Sequence, residues 1–129
     1  MCPMAATYFS DAKSLSMPNR RAELILYLEE LQLADPRPLW RAEEERGLSS
    51  GVDQVFHFFF DDNDFDEDAI GATLLNKVEV EAIKSVKAKL DAILSIIGDR
   101  GNNVFVEHPL WPEVSEAASN ARMRLTRQA

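Results

Sequence analysis

The sequence predicts a single α+β domain over residues 1–129, with about three helices packed on a small antiparallel sheet. The continuous apolar run Val55–Phe60 indicates a buried strand. Longer segments repeat apolar residues every three or four positions, which is typical of helices with one buried face. A chain of 129 residues fits one domain. We therefore expect helices at about 18–34, 77–97 and 110–126, around a main strand at 52–60.

The N-terminal segment, residues 1–17, has no clear period, so we expect it to be loose or to add a sheet edge near Thr7–Phe9. Ser16 is the expected N-cap of the first helix, and proline in the first turn suits a helix start. Its apolar positions recur at spacings of four and three: Leu24, Leu28 and Leu31. Prolines 36 and 38 end this helix, because proline disfavours helical geometry in the residue before it.

The predicted strand at 52–60 is largely apolar on both faces. One face would carry Phe56, Phe58 and Phe60, and the other Val55, His57 and Phe59. This pattern favours an inner strand or one covered by helices. Residues 61–68 follow as an acidic loop, and residues 70–75 are expected to return as a second, antiparallel strand. A short edge strand is expected at 104–106, and residues 39–51 are interpreted as a connector.

The second and third helices are predicted from their ends as well as their stripes. Asn76 and Glu79 resemble a capping box, and Gly98 suits a left-handed C-terminal position. In the last helix the expected buried stripe is Trp111, Val114, Ala118, Ala121 and Leu125.

The negative charge is concentrated in one quarter of the chain. The whole chain has a formal charge of −8, and residues 35–68 contain eleven acidic and three basic residues, which accounts for all of it. Such a surface repels nucleic-acid backbones and anionic membranes and attracts cationic partners. The sequence therefore predicts a basic protein partner, no nucleic acid and no membrane.

We expect the partner-binding surface to combine acidic side chains from two stretches with one aromatic anchor. Trp40 is most simply a core or helix-packing residue, but inside the acidic quarter it could instead be that exposed anchor. The predicted residues are Trp40, Glu43, Glu44, Asp61, Asp62, Asp64, Asp66, Glu67 and Asp68.

The acidic stretch does not match an EF-hand calcium loop. If the loop began at Asp62, glycine would be required at Glu67 and glutamate at Thr73, and both positions fail. We assign no metal ligands, no cofactor and no catalytic residues. One enzymatic alternative stays open, a metal-dependent hydrolase that uses His57 with Asp61, Asp62 or Asp64. For His57 itself we expect a buried, hydrogen-bonded, neutral side chain.

Cysteine content and hydropathy favour a cytoplasmic protein. Cys2 is the single cysteine, which excludes an internal disulfide. No apolar run approaches the roughly 18 residues that a membrane span needs, and no secretory signal is visible.

The C-terminal half resembles an uncharacterised family of short bacterial proteins. The resemblance depends on an acidic run after an apolar segment (Phe60-Asp61-Asp62), on Ile70-Gly71, on the cap at Asn76–Glu79 and on Pro109-Leu110-Trp111-Pro112-Glu113-Val114. The family implies no reaction and no functional residues. In outline alone, the chain is also similar to immunity proteins, which neutralise toxins.

These observations favour a non-enzymatic acidic binding protein, of the immunity type, that engages a basic toxin partner through the surface from Glu43 to Asp68. The alternatives are the hydrolase and a structural homodimer, which an exposed apolar face would indicate.

Overall fold

The computed structural model describes residues 15–48, 50–98 and 101–126, and in these residues the regular structure is helical. The α+β prediction is therefore wrong, because no sheet forms in the described part of the chain. Six α-helices follow one another: α1 Pro18–Leu31, α2 Arg37–Glu45, α3 Val52–Phe56, α4 Lys77–Ile97, α5 Asn102–Val106 and α6 Trp111–Thr126.

The predicted strand at 52–60 is a helix. α3 continues directly into a π-helical turn, His57–Asp62, so that eleven residues form one continuous helical segment. Its buried side chains recur at helical spacings: Val52, Val55, Phe58 and Phe59. Apolar residues on every side suit a buried helix as well as a strand, and the strand preference of valine and phenylalanine depends on context.

The other two predicted strands are also wrong. Residues 70–75 form a turn in which an isolated bridge joins Ile70 to Leu74. Residues 104–106 belong to α5. The supposed connector contains α2, whose first turn holds Pro38, because a proline near a helix start loses no helical hydrogen bond.

The longest helix has the predicted bounds. Asn76 Oδ1 accepts the Glu79 N–H at 3.0 Å, and Gly98 ends α4 with φ of 72°. The return bond of a capping box is shifted, since Glu79 Oε1 accepts from the Leu75 N–H at 2.7 Å. The predicted stripe of α6 is confirmed, with all five residues buried. The first helix ends at Leu31, before the predicted residue 34, and its N-cap is Met17 and not Ser16.

A buried ion pair joins three parts of the fold. The guanidinium of Arg21 in α1 binds both carboxylate oxygens of Glu79 in α4, at 2.8 and 2.9 Å. It also donates to the main-chain oxygens of Thr73 (3.0 Å) and Leu125 (2.9 Å). Arg21 and Glu79 are 4% and 3% exposed. These bonds fix α1, the start of α4 and the end of α6 relative to one another.

The core lies between α1, α4 and α6, and the segment 52–62 adds an aromatic layer to it. α6 packs against both α4 and α1. The Tyr27 ring of α1 stacks on Phe58 with centroids 4.3 Å apart, and Phe59 and Phe65 extend the same cluster. The aromatic layer thus holds the start of the acidic stretch beside α1.

The chain before α1 is held at its described end, since the N–H groups of Ser16 and Met17 donate to Gly71 and Ala72, each at 2.9 Å. The predictions for residues 1–14, including the extended piece at 7–9 and the role of Cys2, lie outside the described residues. Among the helices of the described chain, none has the length and apolar character that crossing a bilayer requires.

Candidate functional site

An open, acidic groove lies where α1, α2 and α3 meet. It has a volume of about 380 Å³ and is defined by eight residues: Glu23, Leu26, Tyr27, Glu30, Glu43, Leu48, Ser50 and Gln54. Three carboxylates thus line one depression, and two exposed leucines border it. We call these eight residues the acidic groove.

The pKa of Tyr27 is affected by several acidic side chains around its hydroxyl. Burial raises the pKa of Tyr27 above its ordinary value of 10.0, and the nearby negative charges raise it further. Those charges come from three parts of the fold: Glu23, Glu30, Asp62 and Glu43. Two predicted site residues, Glu43 and Asp62, are therefore near the same hydroxyl although they are far apart in sequence.

Glu30 is the most enclosed carboxylate of the acidic groove. Its Oε1 accepts the indole N–H of Trp40 at 2.9 Å. Burial raises the pKa of Glu30, the bond from Trp40 lowers it, and the charge of Glu43 raises it. Trp40 itself is 1% exposed. This burial confirms the interpretation of Trp40 as a core residue and contradicts the alternative of an exposed anchor. The tryptophan thus supports the groove from the core.

Glu43 and Glu44 lie side by side in α2 but in different surroundings. Glu43 lines the acidic groove and accepts a hydrogen bond from the Ser50 hydroxyl. Glu44 is exposed and does not line the groove. The structure thus separates the two α2 residues that the sequence grouped together.

The acidic stretch from Asp61 to Asp68 faces solvent. Asp61 and Asp62 end the π-helical turn, the following residues form a loop, and Glu67 opens a short 3₁₀ turn. Asp66 is half-buried, and its Oδ1 accepts the Asp68 N–H at 3.0 Å. The other acidic side chains of the stretch are exposed.

The protein's own cations neutralise little of this stretch. Lys77 Nζ lies 3.3 Å from Glu67, but both side chains are largely exposed, so the pair is weak. Lys87 donates to the main-chain oxygen of Asp64 at 2.8 Å, and not to its carboxylate. Within the described chain, no lysine or arginine forms an ion pair with Asp62, Asp64 or Asp68.

His57 is on the surface and not in the core, so the expectation of a buried histidine is wrong. Its Nδ1 lies 2.8 Å from Asp61 Oδ2, and the two side chains are 61% and 65% exposed. Asp62 and Asp64 do not join this pair. Among the described residues, no three His, Cys, Asp or Glu side chains converge in an arrangement that could hold a metal ion.

The comparison with known families agrees with the resemblance found in the sequence. A domain of unknown function, DUF7945, matches residues 15–129. The chain belongs to the DUF7945 family. No curated protein matches it, and no solved structure does. The match begins at the first residue that the structure describes, so α1 is part of the DUF7945 domain together with the C-terminal half.

Sequence reasoning found only Glu43 among the eight residues of the acidic groove, and the missed ones include three polar residues of α1: Glu23, Tyr27 and Glu30. Their spacing was a usable signal, because residues three or four positions apart share a helix face. The elements that face these α1 residues could not be identified, because the segment 52–60 was assigned to a sheet. Without its helical form, the proximity of Tyr27 to Asp62 could not be inferred.

Proposed function

We propose that this chain is a non-enzymatic binding protein whose acidic surface docks a basic protein partner, as an immunity protein docks a toxin. The observation that carries the proposal is the groove in which Glu23, Glu30 and Glu43 lie together with Tyr27. The charge of Asp62 also raises the pKa of Tyr27. Opposite charges across an interface accelerate association and set specificity.

The exposed aspartates of the stretch after Asp62 enlarge this surface. Like charges held together by a fold raise the local concentration of a cationic partner. A basic side chain that enters the acidic groove would meet several carboxylates at once. The exposed Leu26 and Leu48 at its border would contact the apolar stem of a lysine or arginine.

The test starts by capturing proteins from the source cell at low ionic strength on the immobilised chain. The captured basic protein is then purified and its association rate measured by interferometry at low and high salt. The proposal predicts that the rate falls steeply as salt rises, because screening shortens the range of the attraction.

A charge-matched pair of variants localises the interaction. Glu43→Gln/Asp62→Asn removes one charge that lines the acidic groove and one that acts on Tyr27, and it keeps an acceptor for Ser50. We expect it to lower the association rate about fivefold or more at low salt. The control, Glu81→Gln/Glu116→Gln, removes two exposed charges that do not line the groove, and should change the rate less than about twofold. Equal effects of the two variants, or a rate independent of salt, would contradict the proposal.

A further inference from the structure

A second groove adjoins the segment 52–62, and its floor is aromatic. It has a volume of about 550 Å³ and six lining residues: Asp53, Phe56, His57, Phe60, Asp61 and Leu94. We call it the aromatic groove. None of its residues lines the acidic groove. The segment 52–62 nevertheless borders both grooves, because its Gln54 lines the acidic groove and its Asp62 acts on the pKa of Tyr27.

The floor of the aromatic groove is held in place from beneath. The rings of Phe56 and Phe60 stack with centroids 5.4 Å apart and planes inclined by 26°. Phe56 also packs on the edge of buried Phe105, at 5.4 Å and 64°. The pair is nevertheless open to solvent, since Phe60 is 37% exposed. A fixed, exposed aromatic pair can receive an apolar side chain with little loss of conformational entropy.

The rim of the aromatic groove is acidic. Asp53 and Asp61 are exposed, and within the described chain no lysine or arginine pairs with either carboxylate. Lys87 Nζ lies 5.3 Å from the centroid of Phe60. Its hydrogen bond goes to the main chain of Asp64. The ring of Phe60 thus already carries one cation, and the rim leaves for another the Asp53 carboxylate and the Asp61 oxygen that does not contact His57.

The π-helical geometry of His57–Asp62 places these groups together. π turns are rare and occur often at functional sites. Phe60, His57 and Asp61 of this turn line the same groove as Phe56, the last residue of α3. Phe58 and Phe59 of the turn face the core. The Asn63 side chain caps the turn by donating to the Phe58 oxygen at 2.9 Å.

We propose that the aromatic groove binds a short segment of the basic partner in which an apolar side chain is flanked by arginine or lysine. This inference rests on the proposed function and names the element that is recognised. The apolar side chain packs on Phe56, Phe60 and Leu94, and the flanking cations pair with Asp53 and Asp61. Charge disfavours a second copy as the occupant, because two chains of −8 repel each other.

The direct test uses a short synthetic peptide with Arg-Trp-Arg at its centre, and an otherwise identical peptide with Arg-Ser-Arg. Each is titrated into the labelled full chain while amide chemical shifts are followed by NMR. We expect the tryptophan peptide to shift the amides of Phe56–Asp61 and Leu94. The serine peptide should bind about fivefold more weakly at these positions.

Two variants with a matched control assign the binding to the groove. Phe60→Ala removes half of the aromatic floor, and Asp53→Asn removes a rim charge at an exposed position where the fold is not at risk. Each should weaken the tryptophan peptide about threefold or more, whereas Ile96→Ala, an exposed apolar residue of α4 outside the groove, should leave it within about twofold.

The outcomes separate this inference from the proposed function. Equal binding of the two peptides, or shifts confined to Tyr27 and Glu43, would overturn the aromatic groove while the acidic groove still docks a basic partner. A salt-independent association rate with the captured partner would instead overturn the proposed function. A dimer in size-exclusion chromatography that Phe60→Ala dissociates would show a second copy in the groove, and would overturn the peptide segment as its occupant.

Discussion

Replacing Glu79 by glutamine should strongly destabilise the fold, because Arg21 would keep a buried charge without a counter-ion. Both side chains are at least 96% buried, and two bonds of 2.8 and 2.9 Å join them. At an effective dielectric constant of about 20, opposite charges this close attract by about 6 kcal/mol. Part of that is offset by desolvation, so we expect Glu79→Gln to lower the free energy of unfolding by about 3–5 kcal/mol.

Urea denaturation followed by far-UV circular dichroism measures this loss. The control is Glu81→Gln in the same helix, whose carboxylate is exposed and 3.8 Å from Lys84. This variant should cost less than about 0.5 kcal/mol, because exposed pairs contribute little. The slope of the unfolding free energy against urea should stay unchanged in both variants.

A double-variant cycle identifies the cause of the loss. Arg21→Met/Glu79→Met removes both buried charges together, so its cost should be well below the sum of the two single costs. It still leaves the oxygens of Thr73 and Leu125 and the N–H of Leu75 without these partners, so some loss remains. If Glu79→Gln cost less than about 1 kcal/mol, or if the single losses simply added, the buried charge would not be the cause.

Three further predictions test the acidic surface without a partner. Alkaline titration followed by tyrosine absorbance should show Tyr27 ionising above pH 10.0, and Asp62→Asn should lower its pKa; an unchanged titration would place that carboxylate elsewhere. Because the pKa of Glu30 is raised above 4.5 in the folded state, its contribution to stability is present at low pH and is lost as pH rises through the folded pKa. The melting temperature of Glu30→Gln should therefore fall less between pH 4.5 and neutrality than that of the native chain, and parallel curves would contradict this. The binding proposal expects calcium, manganese and zinc to leave the melting temperature unchanged, whereas a shift that His57→Ala abolishes would favour the hydrolase.

Each helix that was predicted from both a stripe and an end signal is present in the structure. Lys77–Ile97 is bounded by Asn76 and Gly98, and each residue acts as its type predicts. In α6 the stripe was decisive, because small and large apolar residues recur at helical spacing over sixteen positions. Long periodic segments leave few alternatives to a helix.

The segment 52–62 could not be predicted, because a short apolar run has no period that separates a strand from a buried helix. Its helical form depends on tertiary contacts, in which Tyr27, Phe65 and Phe105 surround the phenylalanines. Two further features define where this helical segment begins. Gly51, with φ of 116°, begins α3, and the Asn102 side chain accepts the Val52 N–H at 2.8 Å.

The negative charge of the candidate site was predicted from the sequence, but the positions of its residues were predicted only in part. The exposure of the acidic stretch follows from its composition, since eight residues with six acids cannot be desolvated without partners. Trp40 was interpreted most simply as a core residue, and its place among charged residues suggested an exposed anchor as the alternative. The structure buries it because the indole N–H finds an acceptor in Glu30, a contact between two helices that sequence spacing does not reveal.

A π turn contains one residue more than the α turn it replaces, so inserting or deleting a single amino acid can create or erase it. In a DUF7945 chain that lacks one residue between His57 and Asp62, the same stretch would close as an α turn, because one residue fewer completes about the same rotation around the axis. The residues after the turn would keep their faces, while the turn itself would hold one side chain fewer. The length of this short stretch would therefore sort members of the family into those that have the extra side chain and those that do not.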